Sequence, residues 1–513
     1  MGIIAIIILN LYSSPSVIGG RQWDQKIHNI NNIEFGVTNY GKIGVPCYWP
    51  KGSGQGYIFG SGIWVGAIDS ITCDTMVTIG YGTHGGESEF VPGLYGQDPG
   101  APYVIIYMYP DPWPAPLDSF PMAPQEPLSD QDSWCCYNDC DSTYHMPNDT
   151  KPIGIGVYQT VYVWSDSLLA DMAFLKFEIK NVLHNPIKNL YFGYCTDCDI
   201  GNEAGINAND ICYAIVGKWY VVNGESIWVD NLAFQWQYAD EPGWSDVGAI
   251  GFDLLQTPFD LQWGQDKDND GIVDQYERDS IYYWNNVPPS QWDVDNDGVP
   301  DWRDASENPQ MGMTAYKRFT LETEPNKDDE RYLTLAGYNF RTGQYDPYDT
   351  IIPQPDDQRW MIASGPFELM PESSVTVILG VMLTYWDRQH HTIPDTELVL
   401  LDHIMQTYYN LNWRLGIQET PTLSPEIHTL SIRPNPVNNQ AIAKFSLKEP
   451  SYVTLRLYNP LGQLVKGIFE GNKLSGEYNI RIDANGLPSG TYLLVLKSKS
   501  GISSRIINVI KTR

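Results

Sequence analysis

The chain has no H-E-x-x-H, no G-x-S-x-G and no G-x-x-x-x-G-K-[ST], so the common zinc-protease, serine-hydrolase and phosphate-cradling signatures are missing. Positive charge is short as well. Lys plus Arg number 32 against 62 Asp plus Glu, a net charge of -30, and a nucleic-acid partner demands a cationic surface, so none is expected. Histidine is sparse at eight residues. His390 and His391 are adjacent and point different ways, and His403 falls in a predicted helix, so each reads as a surface or satisfied core residue. No segment has the roughly 18 consecutive apolar residues that a membrane helix needs, and no transmembrane helix is expected in the mature chain.

What the chain has in quantity is aromatic rings, glycine and proline. Aromatics are 13% of 513 residues, with 17 Trp and 33 Tyr beside 45 Gly and 36 Pro, a mixture that favours strands and turns over long helices. The predicted fold is mainly β: a large β-sandwich body with an acidic insert and one helix, then a small immunoglobulin-like β-sandwich. Charge supports the division. Residues 428–513 hold 12 basic and 4 acidic residues, or +8, which leaves 20 basic and 58 acidic, or -38, for the rest. A tail and a body of opposite sign read as separate units.

Residues 1–20 open with the apolar run Ile3 to Leu9 and continue into small residues, the pattern of a secretory signal peptide, although a basic n-region is missing. The alternative is a buried first strand. An exported chain meets oxidising conditions, so the eight cysteines are expected in disulfides. A zinc site built on Cys195-Thr-Asp-Cys198 with Cys135, Cys136 and Cys140 is the other reading.

The body is predicted over residues 21–417. NNIEFGVTNYGKIG, YIFGSGIWVGAI, TVYVWSD, AFLKFEIKNV, LYFGYC, KWYVVNG, SIWVDNLAFQW, RYLTLAGYN, RWMIASGPFEL and SSVTVILGVML read as strands. Residues 97–130 are proline-punctuated and predict a long ordered loop rich in exposed rings. One helix is expected after Asp395, where Leu398, Leu401, Met405, Tyr408 and Leu411 recur at three- and four-residue steps. Residues 418–429 are a predicted linker.

The insert, 264–306, carries the most specific pattern. Counting Asp266 as position 1, Asp268, Asp270, Asp274 and Glu277 fall at 3, 5, 9 and 12, with Gly271 at the turn and the Ile272 carbonyl at 7. Asp293, Asp295, Asp297, Asp301 and Asp304 repeat it, with Gly298 and the Val299 carbonyl in the same places. Calcium takes six to eight oxygens in a flexible sphere, and this spacing curls alternate side chains inward, so two Ca2+ sites are expected. A solvated acidic hinge is the competing reading. Position 8 is Val273 in the first loop and Pro300 in the second, and proline removes the amide that paired EF-hand loops use there. The D-x-D-x-D-G-x-P-D run resembles a thrombospondin type 3 repeat, which implies metal-dependent rigidity. Asp197, Asp199, Asn202, Glu203 and Asp210 form a third acidic patch without loop spacing, which turn chemistry explains as well as a metal does.

Residues 430–513 alternate short strands with turns. Pro434-Asn435-Pro436, then Tyr458, Asn459 and Gly462, then Gly476, then Leu487, Gly490 and Tyr492 occur in order. These residues resemble the type A sorting domain of the type IX secretion system, with Arg433 where an aromatic residue is common. The resemblance implies the secretion machinery as partner and a product secreted or attached to the outer surface of a Gram-negative bacterium. A plain immunoglobulin-like module is the alternative. Segments of the body, NIEFGVTNYGKIG and DQRWMIASGPFEL among them, resemble large secreted proteins that bear the same sorting domain, a likeness that brings no activity with it.

The expected role of the body is adhesion or binding of carbohydrate or another surface polymer. The alternative is an extracellular hydrolase acting on polysaccharide, which needs two carboxylates across a sugar cleft. Trp113, Trp134, Trp164, Trp228, Trp236 and Trp244 are candidates to stack on sugar faces, although rings in a β protein also build its core.

Overall fold

The computed structural model describes residues 16–509 except 19, 83–87, 146–148, 150, 201–208, 223–224, 240–246, 260–309, 387–391, 413–426, 434–436, 448–449, 459–463, 488–489 and 499–500. The chain divides into two compact units, residues 1–261 with 310–399, and residues 262–309 with 400–513.

The first unit is built from alternating and fully apolar strands that pair antiparallel. A nine-stranded sheet runs Asp210–Val222, Glu225–Gln237, Ala249–Gln256, Ser374–Thr384, Met172–Asn181, Ile155–Val163, Gln131–Asn138 and Val91–Pro92, with Tyr107–Met108 also on Gln131–Asn138. A five-stranded sheet runs Ala315–Phe319, Arg359–Leu369, Ile187–Asp197, Gly60–Ile68 and Thr75–Ile79. Rings from the two sheets meet in one core: Phe177 lies 5.6 Å from Phe192, and Phe252 lies 5.6 Å from Tyr194 and 5.1 Å from Trp360. Such face-to-face packing is the β-sandwich expected from composition.

A second core covers the other face of the five-stranded sheet, where Trp64, Val77, Cys195, Met361, Tyr332 and Leu335 pack together. Tyr332 and Leu335 come from a helix, Asp328–Leu335. RYLTLAGYN is therefore helical for the most part and not the strand its alternation suggests. The acidic first turn Asp328-Asp329-Glu330 suits the positive end of a helix, and Gly337, at φ +81°, ends it. The sheet makes room through glycine. A Cβ on Gly193 would sit 2.4 Å from Leu335 Cδ2, and one on Gly66 would sit 2.8 Å from Cδ1.

The later helix, Asp395–Asn412, is where it was expected, but its buried stripe is Leu398, Asp402, Met405 and Tyr409. Leu401 and Tyr408 are only half-buried. The proline-rich segment 97–130 is turn and loop around the Tyr107–Met108 strand. Several of its rings face inward: Tyr107 and Phe120 are buried with Trp134 and Tyr158 in a small core of their own, although Tyr103 stays exposed.

In the second unit, Ile427–Arg433, Gln440–Leu447 and Gly476–Asp483 form one sheet, and Leu464–Lys473, Ser451–Tyr458, Gly490–Ser498 and Gly501–Val509 form another. Strict alternation drives them together. Ala441, Ala443, Phe445 and Leu447 from the first sheet share a core with Val453, Leu455, Leu457, Leu494 and Leu496 from the second. The result is a small seven-stranded antiparallel sandwich. Among the described residues no helix is long and apolar enough to cross a membrane.

Candidate functional site

Asp266, Asp268, Asp270, Ile272, Asp274, Glu277, Asp293, Asp295, Asp297, Val299, Asp301 and Asp304 lie outside the described residues. So do Asn202, Glu203, Trp244, His390, His391 and residues 1–15 of the expected leader.

All eight cysteines are free thiols, contrary to the expected disulfides. Strand geometry gives the reason. Cys135 and Cys136 are neighbours on Gln131–Asn138 and so face opposite sides: Cys135 enters the main sandwich core and Cys136 the proline-loop core. Burial drives the thiols of Cys195 and Cys198 well above the ordinary range, and the two enter different cores, Cys195 that on the outer face of the five-stranded sheet and Cys198 the main sandwich core.

Part of the third acidic patch does converge, at the end of the five-stranded sheet. Asp197 closes its strand between Gly60 and Arg359. One oxygen each from Asp197, Asp199 and Asp357 lie within 4.8 Å of one another. Asp357 has no sequence signal that links it to the other two. Asp197 is 1% exposed; its Oδ2 accepts from Tyr81 Oη at 2.9 Å and lies 3.0 Å from Arg359 Nε, while Arg359 Nη1 donates to Asp357 Oδ1 at 3.0 Å. Desolvation raises the Asp197 carboxyl to about 7, against the pull of Arg359 and with the push of Asp199. Arg359 loses by desolvation too, but Asp197 and Asp357 outweigh that and hold it above its ordinary value. The guanidinium is already the cation of this cluster, so the arrangement is a buried charge network. Asp210 stands apart, buried, accepting from Ile200 N and Gln235 Nε2, each at 3.1 Å.

The tryptophans separate into two groups. Trp134, Trp164 and Trp236 are buried and Trp113 is half-buried, so these build the core or its edge. Trp228 is different, and so is Trp219, which is not among the expected candidates. They oppose each other directly across the Asp210–Val222 and Glu225–Gln237 strands, with ring centroids 5.3 Å apart and planes at 56°. Trp219 is 64% exposed and Trp228 is 39% exposed. Val221, two residues along from Trp219 and therefore on the same face, is exposed as well. Next to this face in sequence, Lys218 Nζ lies 4.9 Å from the Tyr220 ring. Two adjacent open indoles offer a broad polarisable surface with N–H donors at its rim, suited to a ligand that has both C–H faces and hydroxyl groups.

Residues 431–510 match the secretion system C-terminal sorting domain family. The chain is thus a type IX secretion cargo, exported to the cell surface or beyond. No curated protein matches the chain. Among solved structures it is similar to a polysaccharide lyase, at 8% identity and a TM-score of 0.24 over 97% of this chain and 48% of that one. It is similar also to a putative aldose 1-epimerase of Escherichia coli K12, at 8% identity and a TM-score of 0.28 over 71% of this chain and 100% of the other. The chain spans about half the length of the lyase. Similarity this remote assigns no activity.

Proposed function

We propose that the exported chain is a carbohydrate-binding protein that holds a surface or extracellular polysaccharide on the Trp219–Trp228 face. The observation that carries this reading is the exposure of two paired indoles in a unit that hides Trp64, Trp236 and Trp360 almost completely. Water gains nothing from an open indole, whereas a pyranose ring laid on it buries apolar area and leaves its hydroxyls hydrated.

Calcium belongs to the same proposal. Ten carboxylates at repeated loop positions between Asp266 and Asp304 fit two ions that hold the segment in shape, with affinities of about 10⁻⁴ to 10⁻³ M, as in other extracellular modules. Binding is favoured over hydrolysis because Asp197 is buried and Arg359 already engages it and the half-buried Asp357.

Glycan-array binding of the purified chain, run beside a reducing-sugar release assay, tests the reading. Binding without release is expected. Release of sugar would make the chain a hydrolase, and an array without signal would remove the carbohydrate.

A further inference from the structure

A groove of about 520 Å³ opens on the first unit where Ala315–Phe319 and residues 353–358 approach the short Tyr338–Asn339 strand. Its volume falls in the range of small-ligand sites. Tyr338 and Phe340 give it half-buried ring surface, and Asn339 and Gln354 add side-chain amides.

The charge of the groove runs against that of its surroundings. Residues 1–427 carry 58 acidic and 20 basic side chains, and the buried cations nearby all have acid partners: Lys317 with Asp349 at 2.7 Å, Arg331 with Asp149 at 2.7 Å, and Arg359 with Asp197 and Asp357 at 3.0 Å each. The guanidinium groups of Arg318 and Arg341, which line the groove, form no ion pair among the described residues, although the Arg318 main-chain N–H donates to Asp349 Oδ2 at 2.7 Å. Their guanidinium groups donate to main-chain carbonyls, Arg318 Nη1 to Cys212 O at 3.5 Å and Arg341 Nη2 to Glu322 O, and the Arg341 guanidinium lies 5.8 Å from the Phe340 ring centroid. Lys317 already neutralises Asp349, so the groove lining holds Arg318 and Arg341 with the exposed Asp356 as its other carboxylate, and Arg341 also lines the adjoining cavity of Glu322, Glu324, Asp329 and Glu330. In a chain with about two acids for every base, two cations left open beside aromatic and amide groups are poised for an anion that comes from outside. A guanidinium fork matches a planar carboxylate, with which it forms two parallel hydrogen bonds.

We propose that this groove binds the carboxylate of an acidic sugar unit, so that the polysaccharide the chain recognises bears uronate residues. The ligand class rests on the carbohydrate-binding reading above, while the groove itself is separate from the tryptophan face.

Calorimetry of the full chain with a galacturonate trimer, its methyl ester and a sulfated neutral trisaccharide tests the proposal. The acid trimer is expected to bind and the ester to lose roughly tenfold or more in affinity, because the charge-assisted pair is gone. Arg318→Gln and Arg341→Gln should each weaken the acid trimer by a similar factor, while Arg318→Lys recovers only part, since it keeps the charge without the fork. Thermal melts establish that each variant is folded; if a glutamine variant is not, the ester comparison decides alone. Equal binding of acid and ester, no binding of the acid, or unaltered binding by folded glutamine variants overturns the proposal. Preference for the sulfated sugar overturns the carboxylate assignment. Loss of glycan binding in tryptophan variants alone overturns the groove and leaves the tryptophan face standing.

Discussion

Replacing Asp197 by Asn probes the buried charge network where its physics is most exposed. In the folded chain this carboxyl titrates near 7, from an ordinary value of 3.8. Its folded value is raised, so the protonated acid contributes stability that is fully present below the unfolded value and is lost as pH rises through the folded one. The window is therefore about pH 4 to 7, and stability from this group falls with rising pH. Asn mimics the neutral acid and does not titrate. Within that window each pH step of one costs the wild type roughly a tenfold change in its folding equilibrium, so its advantage over Asp197→Asn should shrink by roughly 2 to 3 kcal/mol between pH 5 and pH 8. Urea unfolding of both proteins at half-unit pH steps, at constant calcium, gives the difference curve. The side chain is 1% exposed, so solvent screening removes little of the effect. A difference that is flat, or that grows with pH, would refute the reasoning and mean that Arg359 and Tyr81 hold Asp197 as a carboxylate throughout.

Two further perturbations act elsewhere in the chain. Asp268→Ala with Asp295→Ala should lower the melting temperature in millimolar calcium and leave it unchanged in chelator, because an ion bound only by the folded state stabilises that state; equal melting curves with and without calcium for the wild type would contradict structural metal. Deleting residues 430–513 should leave the body in the periplasm, scored by cell fractionation, and its normal appearance outside the cell would contradict sorting by this domain.

Where one face of a strand is buried and the other wet, the sequence carried the fold plainly. In the sorting domain, Ala441, Ala443, Phe445 and Leu447 alternate with exposed or half-exposed residues, and period two leaves little choice of structure. Ser451–Tyr458 does the same. The Asp328–Leu335 helix was lost to the same rule: alternation in RYLTL imitates a strand, and the decisive signals were the acidic turn before it and the glycine after it. Spacing could not reach Asp357, which meets Asp197 only because Arg359–Leu369 is the neighbour of Ile187–Asp197 in the sheet. The cysteine expectation failed because an even count says nothing about which face of a strand each thiol occupies. Trp219 was within reach. Val222 pairs with Glu225, and the intervening Asn223-Gly224 is the dipeptide that most favours a two-residue hairpin; counting outward from it places Trp219 opposite Trp228.

The most direct measurement is tryptophan emission of the purified chain during titration with a soluble polysaccharide that it captures on the array, compared with a Trp219→Ala, Trp228→Ala variant. The account predicts a saturable change in the wild type that the variant lacks, together with at least a roughly tenfold loss of affinity, as for other buried aromatic anchors. Undiminished affinity in the folded variant would contradict it.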